Sequence, residues 1–535
     1  MLGRPYTSSV LALLLAALGS ATGATAKIAT KACTSATFEG LTLPDIKILS
    51  IDSVVAQTAW PSSSDLVNAF PSTKAGTVDV CQLTITYAHV GQNDTINTWV
   101  WLPINSWNGR FVGMGGSGWV TGTASSLAQP VFEGYSAAST DGGHSAAASV
   151  DSWALEGGDL NWLLIEDFSS TTLDEASSLG KAASKLFYGS LPKYSYFNGC
   201  STGGRQGHML AQKFPAQYDG ILAGSPAINW DEFIPAQYWP PLLMHKMDYY
   251  PSPCELDAIT NFAIKSCDKL DGVEDGIVSL PGLCRFDPFT LVGKKISCTN
   301  PNGTITLSNK SAQFAAAVWA GPTDSDGSSL WYGLTHDAPL TGIGGTSCSS
   351  LHDCVPAPFF LSTDWLATFL SKNAARDIST ISLEEFRQLF HTSVTEFQTV
   401  IGTRDPNLSA FKQSGNKMIT WHGMKDPYAM YNGTVDYYDR VRAVDPKVAD
   451  YYRFFAAPGV EHCSGGPGPF PGDGLKALVN WVEHGKAPDT LLALATPTAT
   501  GSADLSTRTA RLCPYPHVLT YSKGNPDKAS SYTCK

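Results

Sequence analysis

A serine in a glycine-rich turn is the residue whose surroundings most clearly indicate chemistry. Ser201 is the centre of a Gly-x-Ser-x-Gly pattern from Gly199 to Gly203, between a β-like run and a helix-like stretch. Glycines at these positions permit the sharp strand-to-helix turn that exposes a serine Oγ, and the N–H of Thr202 then lies where an oxyanion forms. A structural turn is the alternative for so short a pattern, but the flanking elements favour a nucleophile.

A serine nucleophile needs a neighbouring base, which in turn needs an acid to orient it. Asp426 and His462 follow in the order serine, acid, histidine, and each comes just after a strand-like segment. The carboxyl ends of parallel strands are where α/β folds gather catalytic groups. The sequence therefore predicts Ser201 as nucleophile, His462 as general base and Asp426 as the orienting residue.

Two other histidines compete for the role of base. His484 ends a helix-like stretch beside Gly485, where a C-terminal cap explains it. His422 lies in the same turn as Asp426 and has a structural hydrogen bond as its alternative role. The order and spacing of the three residues favour His462.

A second oxyanion donor is expected from the glycine-rich turn that runs from Gly113 to Gly118 after an early strand. In α/β-hydrolases the loop at this point supplies a backbone N–H to the oxyanion hole. Gly116 is the candidate donor, and a plain glycine-rich turn is the alternative.

The elements around these residues predict an α/β-hydrolase fold. Runs from Leu83 to Tyr87 and from Thr98 to Leu102 indicate an antiparallel opening of a sheet. Later strand-like runs, from Arg110 to Gly113 and from Lys193 to Asn198, alternate with helical stretches such as Leu173 to Phe187. Alternation of this kind indicates a mostly parallel sheet.

Two domains, or one core with a large insertion, are expected because roughly 500 residues exceed what one core normally supports. Residues 227–398 break the α/β alternation and are predicted to form a lid domain over Ser201, between catalytic parts at 27–226 and 399–535. Its aromatic residues are predicted either to line an aryl-binding wall or to fill a core. They include Trp230, Phe233, Tyr238, Trp239, Phe359, Phe360 and Trp365.

An acidic loop within the insertion suggests a metal ion. Asp268, Asp271, Glu274 and Asp275 crowd their carboxylates together unless some turn outward or a cation lies between them. Calcium accepts about 6–8 oxygen ligands and suits such a site, although the spacing is not that of an EF-hand. A solvated acidic turn is the alternative.

Residues 1–26 have the pattern of a secretory signal peptide. Arg4 precedes an apolar run from Val10 to Leu18, and small residues up to Ala26 form the cleavage site. A membrane anchor is disfavoured because the run is about half of the ~20 residues that a span requires. The 12 cysteines all follow this segment and predict disulfides. Five sequons agree with secretion and glycosylation: Asn93, Asn302, Asn309, Asn407 and Asn432.

The formal charge of the 535-residue chain is -11 at pH 7, with no basic patch of the kind that nucleic-acid-binding proteins display. We therefore expect no nucleic acid as partner. No segment after residue 26 is long and apolar enough to cross a bilayer, so no membrane is expected as partner either. Triad chemistry uses no organic cofactor, so none is expected.

The chemistry-bearing residues resemble those of one family. Cys200-Ser201, Asp426 and His462-Cys463 look like the CS-D-HC pattern of the fungal tannase and feruloyl esterase family, and the similarity runs over nearly the whole mature chain. The resemblance implies a disulfide between Cys200 and Cys463.

The acidic loop is similar to the calcium loop in the lid domain of that family. The resemblance implies structural calcium bound by the side chains of Asp268, Asp271 and Asp275 and by the carbonyls of Val273 and Ile277.

Proximity along the chain suggests pairings for the other cysteines, although sequence alone does not settle connectivity. The suggested local pairs are Cys33 with Cys81, Cys267 with Cys284, Cys348 with Cys354, and Cys513 with Cys534, which leaves Cys254 with Cys298.

The family resemblance implies hydrolysis of phenolic acid esters. Feruloyl and related hydroxycinnamoyl esters on plant polysaccharide fragments are the expected substrates, because the residues around Ser201 look more like the feruloyl esterase branch. A tannase acting on gallate esters is the alternative, followed by a peptidase or lipase. An inactive hydrolase fold used for binding is a further alternative from another class, and such proteins typically lack a triad residue.

Overall fold

The computed structural model describes residues 30–60, 76–494 and 508–535. The predicted signal peptide at residues 1–26 lies outside these ranges. Among the described residues, no helix combines the length and apolarity that crossing a membrane requires.

A nine-stranded sheet forms the centre of the fold. In chain order its strands are β1 Ile46–Trp60, β2 Gly76–His89, β3 Ile96–Pro103, β4 Arg110–Met114, β5 Ser136–Thr140, β6 Tyr194–Cys200, β7 Gly220–Gly224, β8 Lys417–Gly423 and β9 Tyr452–Ala457. Their order across the sheet is β1-β2-β3-β5-β4-β6-β7-β8-β9.

The sheet begins antiparallel and becomes parallel, as predicted. β1, β2, β3 and β5 pair antiparallel, whereas every pair from β5–β4 to β8–β9 is parallel. β5 and β7 are buried along their whole length, which fits parallel strands covered on both faces. The prediction of an α/β-hydrolase fold is confirmed.

Helices of seven residues or more in the described ranges are labelled α1 to α9. They are α1 Thr172–Tyr188, α2 Thr202–Lys213, α3 Trp230–Ala236, α4 Trp239–Met247, α5 Pro253–Cys267, α6 Asn309–Ala320, α7 Leu383–Phe397, α8 Tyr431–Val444 and α9 Gly474–His484. α1 and α2 pack on the sheet beside β5, β6 and β7. His484 ends α9 next to Gly485 in a left-handed cap conformation, as expected.

The chain between β7 and β8 adds no described strand to the large sheet. It carries α3 to α7 and two hairpins, Lys295–Thr299 with Asn302–Thr306 and Thr346–Ser350 with Asp353–Pro356. Trp230 and Trp365 are fully buried in its apolar core, which also includes Trp119 and Trp153 from the earlier part of the chain. The insertion therefore packs directly on the segment that follows β4.

Six disulfides join all 12 cysteines of the sequence. Five of them are the pairs suggested by proximity along the chain. The sixth joins Cys200 to Cys463 across 263 residues, as the family resemblance implies.

Candidate active site

The turn at Ser201 joins β6 directly to α2. Ser201 has φ 63° and ψ -122°, a conformation that is strained for any residue with a side chain. A Cβ on Gly199 would lie 2.6 Å from the backbone of Gly203, so the turn closes only with glycine there. The Ser201 N–H donates to the Gly224 carbonyl at 3.0 Å, and the Ser201 carbonyl accepts from Ala227 at 3.0 Å. These contacts hold Oγ at the carboxyl end of the sheet.

His462 links Ser201 to Asp426. Its Nε2 lies 2.8 Å from Ser201 Oγ, and its Nδ1 lies 2.7 Å from Asp426 Oδ2. Because a carboxylate only accepts, Nδ1–H donates to Asp426 and Nε2 is left to accept the Ser201 hydroxyl proton. The structure thus brings together the three residues predicted as a triad, in the arrangement of nucleophile, base and orienting acid.

Asp426 is a fully buried carboxylate with four donors. The N–H groups of Tyr428 and Ala429 each donate to Oδ1 at 2.9 Å, and His422 Nε2 lies 3.1 Å from Oδ2 beside the bond from His462. Burial raises the pKa of Asp426, but the charge of His462 and the hydrogen bonds from His422 and His462 hold it well below its usual range. Asp426 therefore stays ionised and can stabilise an imidazolium at His462.

His422 has one tautomer that satisfies its neighbours. Its Nε2 faces two acceptors, Asp426 Oδ2 and the Ala429 carbonyl at 3.0 Å, so it carries a proton. Its Nδ1 lies 2.8 Å from Thr434 Oγ1 and accepts from that hydroxyl. The alternative structural role considered for His422 is therefore the one the geometry supports, with Asp426 as its target.

The Cys200–Cys463 disulfide lies directly beside the reacting groups. Its two Cα atoms are 5.9 Å apart, and each cysteine is the chain neighbour of a triad residue. Cys463 also has a positive φ of 60°. The bridge holds the turn at Ser201 and the loop at His462 together.

Of the two backbone N–H groups expected to form the oxyanion hole, the geometry is compatible with that of Thr202 but not with that of Gly116. Thr202 begins α2, where helix N–H groups lack intrahelical acceptors, and its Oγ1 donates to the Gly118 carbonyl at 2.8 Å. The Gly116 N–H donates to Gln206 Oε1 at 3.0 Å. An N–H already held by a buried amide is a poor second oxyanion donor, which argues against the assignment of Gly116. Gly118 takes a positive φ of 53° and lines the site.

A cavity of about 1390 Å³ opens onto Ser201 and His462. The insertion contributes Tyr238, Phe359 and Phe360 to its wall. Phe359 stacks on Tyr428 at 4.7 Å between ring centroids, and Tyr428 meets the His462 ring edge-on at 5.8 Å. An aromatic surface therefore reaches the catalytic imidazole.

The other aromatic residues considered for this wall belong to the core of the insertion. They are Trp230, Phe233, Trp239 and Trp365, all buried. Their alternative role as core fillers is the one the structure shows.

The acidic loop follows the end of α5. The Asp268 carboxylate accepts from the N–H groups of Asp275 and Gly276 at 3.1–3.2 Å, and Glu274 turns outward to pair with Lys269 at 2.6 Å. Burial raises the pKa of Asp271 and of Asp275. The charge of Arg508 lowers the pKa of Asp275 in part, and the neighbouring carboxylates raise the pKa of both residues. An all-oxygen donor set with mutual repulsion fits calcium chemistry.

A protein-family model described as tannase and feruloyl esterase matches residues 81–535. The chain belongs to this family. Its members are carboxylic ester hydrolases, and so is this protein.

Two relatives and one solved structure show the extent of the similarity. The esterase is 41% identical over 506 residues to a probable feruloyl esterase of Arthroderma benhamiae, covering 92% of this chain and 91% of the relative. It is 33% identical to a mono(2-hydroxyethyl) terephthalate hydrolase of Piscinibacter sakaiensis, covering 79% and 78%. A tannin acyl hydrolase of Aspergillus niger superimposes with a TM-score of 0.85 at 26% identity, covering 94% and 95%.

We predict that His422→Phe lowers the kcat of the esterase by about 10- to 100-fold with little change in KM, because Asp426 loses a charge-assisted hydrogen bond. Steady-state kinetics on a soluble phenolic ester measure both constants. Thr434→Val is the matched control, since it removes only the hydroxyl that bonds His422 Nδ1 and leaves the contact between His422 and Asp426 in place. Equal kcat in His422→Phe and the native protein would show that the two backbone N–H groups suffice to hold Asp426.

Proposed function

We propose that this chain is a secreted serine esterase that hydrolyses phenolic acid esters, with feruloyl and other hydroxycinnamoyl esters of plant cell-wall polysaccharides as substrates. The observation that carries the proposal is the hydrogen-bonded triad of Ser201, His462 and Asp426, of which Ser201 and His462 line a cavity that also has aromatic residues in its wall. Because all three triad residues are present and hydrogen-bonded, an inactive binding protein is disfavoured.

In the acylation step, Ser201 Oγ attacks the ester carbonyl carbon while His462 Nε2 accepts the hydroxyl proton. Asp426, ionised and hydrogen-bonded to Nδ1, stabilises the imidazolium that forms. The N–H of Thr202 stabilises the developing oxyanion. Collapse of the tetrahedral intermediate breaks the bond to the alcohol oxygen, which takes the proton from His462.

In the deacylation step, His462 removes a proton from water as the water oxygen attacks the acyl carbon. The second tetrahedral intermediate expels Ser201 Oγ, which regains its proton from His462. The products are a free acid and an alcohol, and the triad returns to its starting state.

The cavity supports an aromatic acyl group. Phe359 and Tyr428 present a stacked aromatic surface within reach of His462, and Phe360 and Tyr238 extend the wall. Offset or edge-on packing of a planar phenolic ring on such residues is favourable. The relative with 41% identity, named a probable feruloyl esterase, supports the hydroxycinnamoyl class. The TM-score of 0.85 with a tannin acyl hydrolase makes gallate esters the second candidate.

Three features support secretion. The cysteines pair completely in disulfides, and the N-terminal residues have the pattern of a signal peptide. All five sequon asparagines are exposed, which is compatible with glycosylation: Asn93, Asn302, Asn309, Asn407 and Asn432.

Structural calcium in the acidic loop is part of the proposal. The carboxylates of Asp268, Asp271 and Asp275 and the carbonyls of Val273 and Ile277 would hold the ion. The calcium ion would neutralise the crowded carboxylates of this loop, which is closed by the Cys267–Cys284 disulfide.

We predict a higher kcat/KM for methyl ferulate, caffeate and p-coumarate than for methyl gallate, by about 10-fold or more, a difference of roughly 1.4 kcal/mol in transition-state binding. The rates are measured by chromatography of the released free acids, and methyl sinapate is assayed in the same way. Ser201→Ala is the control that gives the background rate. That control should lose on the order of 10⁴-fold in kcat. Preference for gallate would favour the tannase alternative, and preference for tributyrin would contradict the aryl proposal.

We predict that removing calcium with EDTA lowers the Tm while leaving kcat at 25 °C nearly unchanged, because the proposed ligands lie in the acidic loop and the triad needs no Lewis acid. Differential scanning calorimetry and ester hydrolysis measure the two effects. The Tm of Asp271→Asn should not respond to calcium. Immediate loss of kcat with an unchanged fold would contradict a structural role.

A further inference from the structure

A histidine meets three carboxylates where β2 ends. His89 is the last residue of β2, Asp94 lies in the turn to β3, Asp167 begins the helical segment Asp167–Thr171, and Glu175 lies in the first turn of α1. Asp94 and Asp167 are buried, and the His89 side chain is 13% exposed. None of the four lines the catalytic cavity.

The two nitrogens of His89 have different surroundings. Nε2 lies 2.7 Å from Glu175 Oε1, and the other oxygen of Glu175 accepts from the Tyr87 hydroxyl at 2.7 Å. Nδ1 faces Asp94 Oδ2 in close contact, and Asp167 Oδ1 lies 3.9 Å from it. His89, Asp94 and Asp167 each offer one nitrogen or oxygen atom as a ligand, and these three atoms lie within 4.8 Å of one another.

Within this cluster, Asp167 has a carboxylate oxygen without a hydrogen-bond partner among the described residues. The residue is 1% exposed, and the oxygen is Oδ2. A buried carboxylate oxygen without a donor is costly. The carboxylates of Asp94, Asp167 and Glu175 all lie around the one imidazole of His89. Negative groups therefore outnumber the single imidazole here.

We propose that His89 Nδ1, Asp94 and Asp167 bind a divalent transition-metal ion of the zinc class, with Glu175 orienting His89. Zinc binds imidazole nitrogen and carboxylate oxygen at about 2.0–2.2 Å, so small side-chain rotations bring the three atoms onto one ion. A carboxylate on the second imidazole nitrogen is the usual support for a metal-bound histidine. The nitrogen ligand favours zinc over calcium.

The site has a structural consequence. Binding at His89 Nδ1 releases the proton on that nitrogen and gives Asp167 a cation. The segment that Asp167 begins also accepts hydrogen bonds from Arg205 of α2, at the carbonyls of Phe168 and Ser169. A metal ion at Asp167 would thus fix the segment that contacts α2, the helix that follows Ser201, and we expect it to raise stability without taking part in hydrolysis.

The test uses the full-length glycosylated protein, stripped with a chelator and reloaded with calcium. Titration with ZnCl₂ should show one equivalent bound with a Kd of on the order of 1 μM or tighter, and a Tm raised by about 2 °C or more. Asp167→Asn and His89→Gln should each weaken zinc binding by at least about 100-fold, and Glu175→Gln by about 10- to 100-fold. Asp174→Asn, a neighbour on α1, and Asp268→Asn, in the acidic loop, should bind zinc normally.

Two results would overturn the proposal. One is native protein that neither binds ZnCl₂ stoichiometrically nor gains Tm, which would show that the cluster does not bind the metal ion. The other is zinc binding of unchanged affinity in Asp167→Asn or, if that variant does not fold, in His89→Gln, which would assign the ion to other residues.

Discussion

The covalent link between Cys200 and Cys463 is the constraint on which the catalytic arrangement depends. The nucleophile and its base are 261 residues apart in sequence, yet their reacting atoms lie 2.8 Å apart. Catalysis is sensitive to displacements of about 1 Å. By the chain-entropy model, closing so long a loop also stabilises the fold by about 5 kcal/mol. The bridge therefore acts on geometry and stability together, since Cys200 precedes the strained Ser201 and Cys463 itself has a positive φ.

Around this link, buried polar groups define the chemistry. Asp426 remains charged because two backbone N–H groups and two imidazoles surround it. On the other side of Ser201, Gln206 and Thr202 hold the glycine-rich loop after β4 against α2. The insertion completes the site with aromatic side chains, since its apolar core packs on Trp119 and Trp153 near that same loop. Local backbone contacts thus position Ser201 and Asp426, and long-range packing supplies the aromatic wall of the cavity.

Much of this could be predicted from sequence because the signals are local. The Gly-x-Ser-x-Gly turn, the order of Ser201, Asp426 and His462, and the alternation of strands and helices all depend on short-range spacing. The short-range cysteine pairs follow from proximity, whereas the Cys200–Cys463 pair needed the family pattern.

Features that depend on long-range contact were not predictable in the same way. The N–H of Gly116 is held by Gln206, which lies 90 residues away in sequence. Tyr428 reaches His462 only after the chain folds, and its aromatic type alone gives no signal. The cluster of His89, Asp94, Asp167 and Glu175 joins a strand end, a turn and two helical segments. No spacing rule marks it.

The central claim is that Ser201 is the nucleophile and that the Cys200–Cys463 bridge keeps His462 in reach of it. The rate and position of labelling by a fluorophosphonate test both parts, because the reagent reacts with a serine only when a base activates it. We expect a single label at Ser201 by peptide mass mapping, and labelling slowed at least about 10-fold in a folded Cys200→Ala, Cys463→Ala variant. A label on another residue, or a double variant that reacts as fast as the native protein, would contradict it.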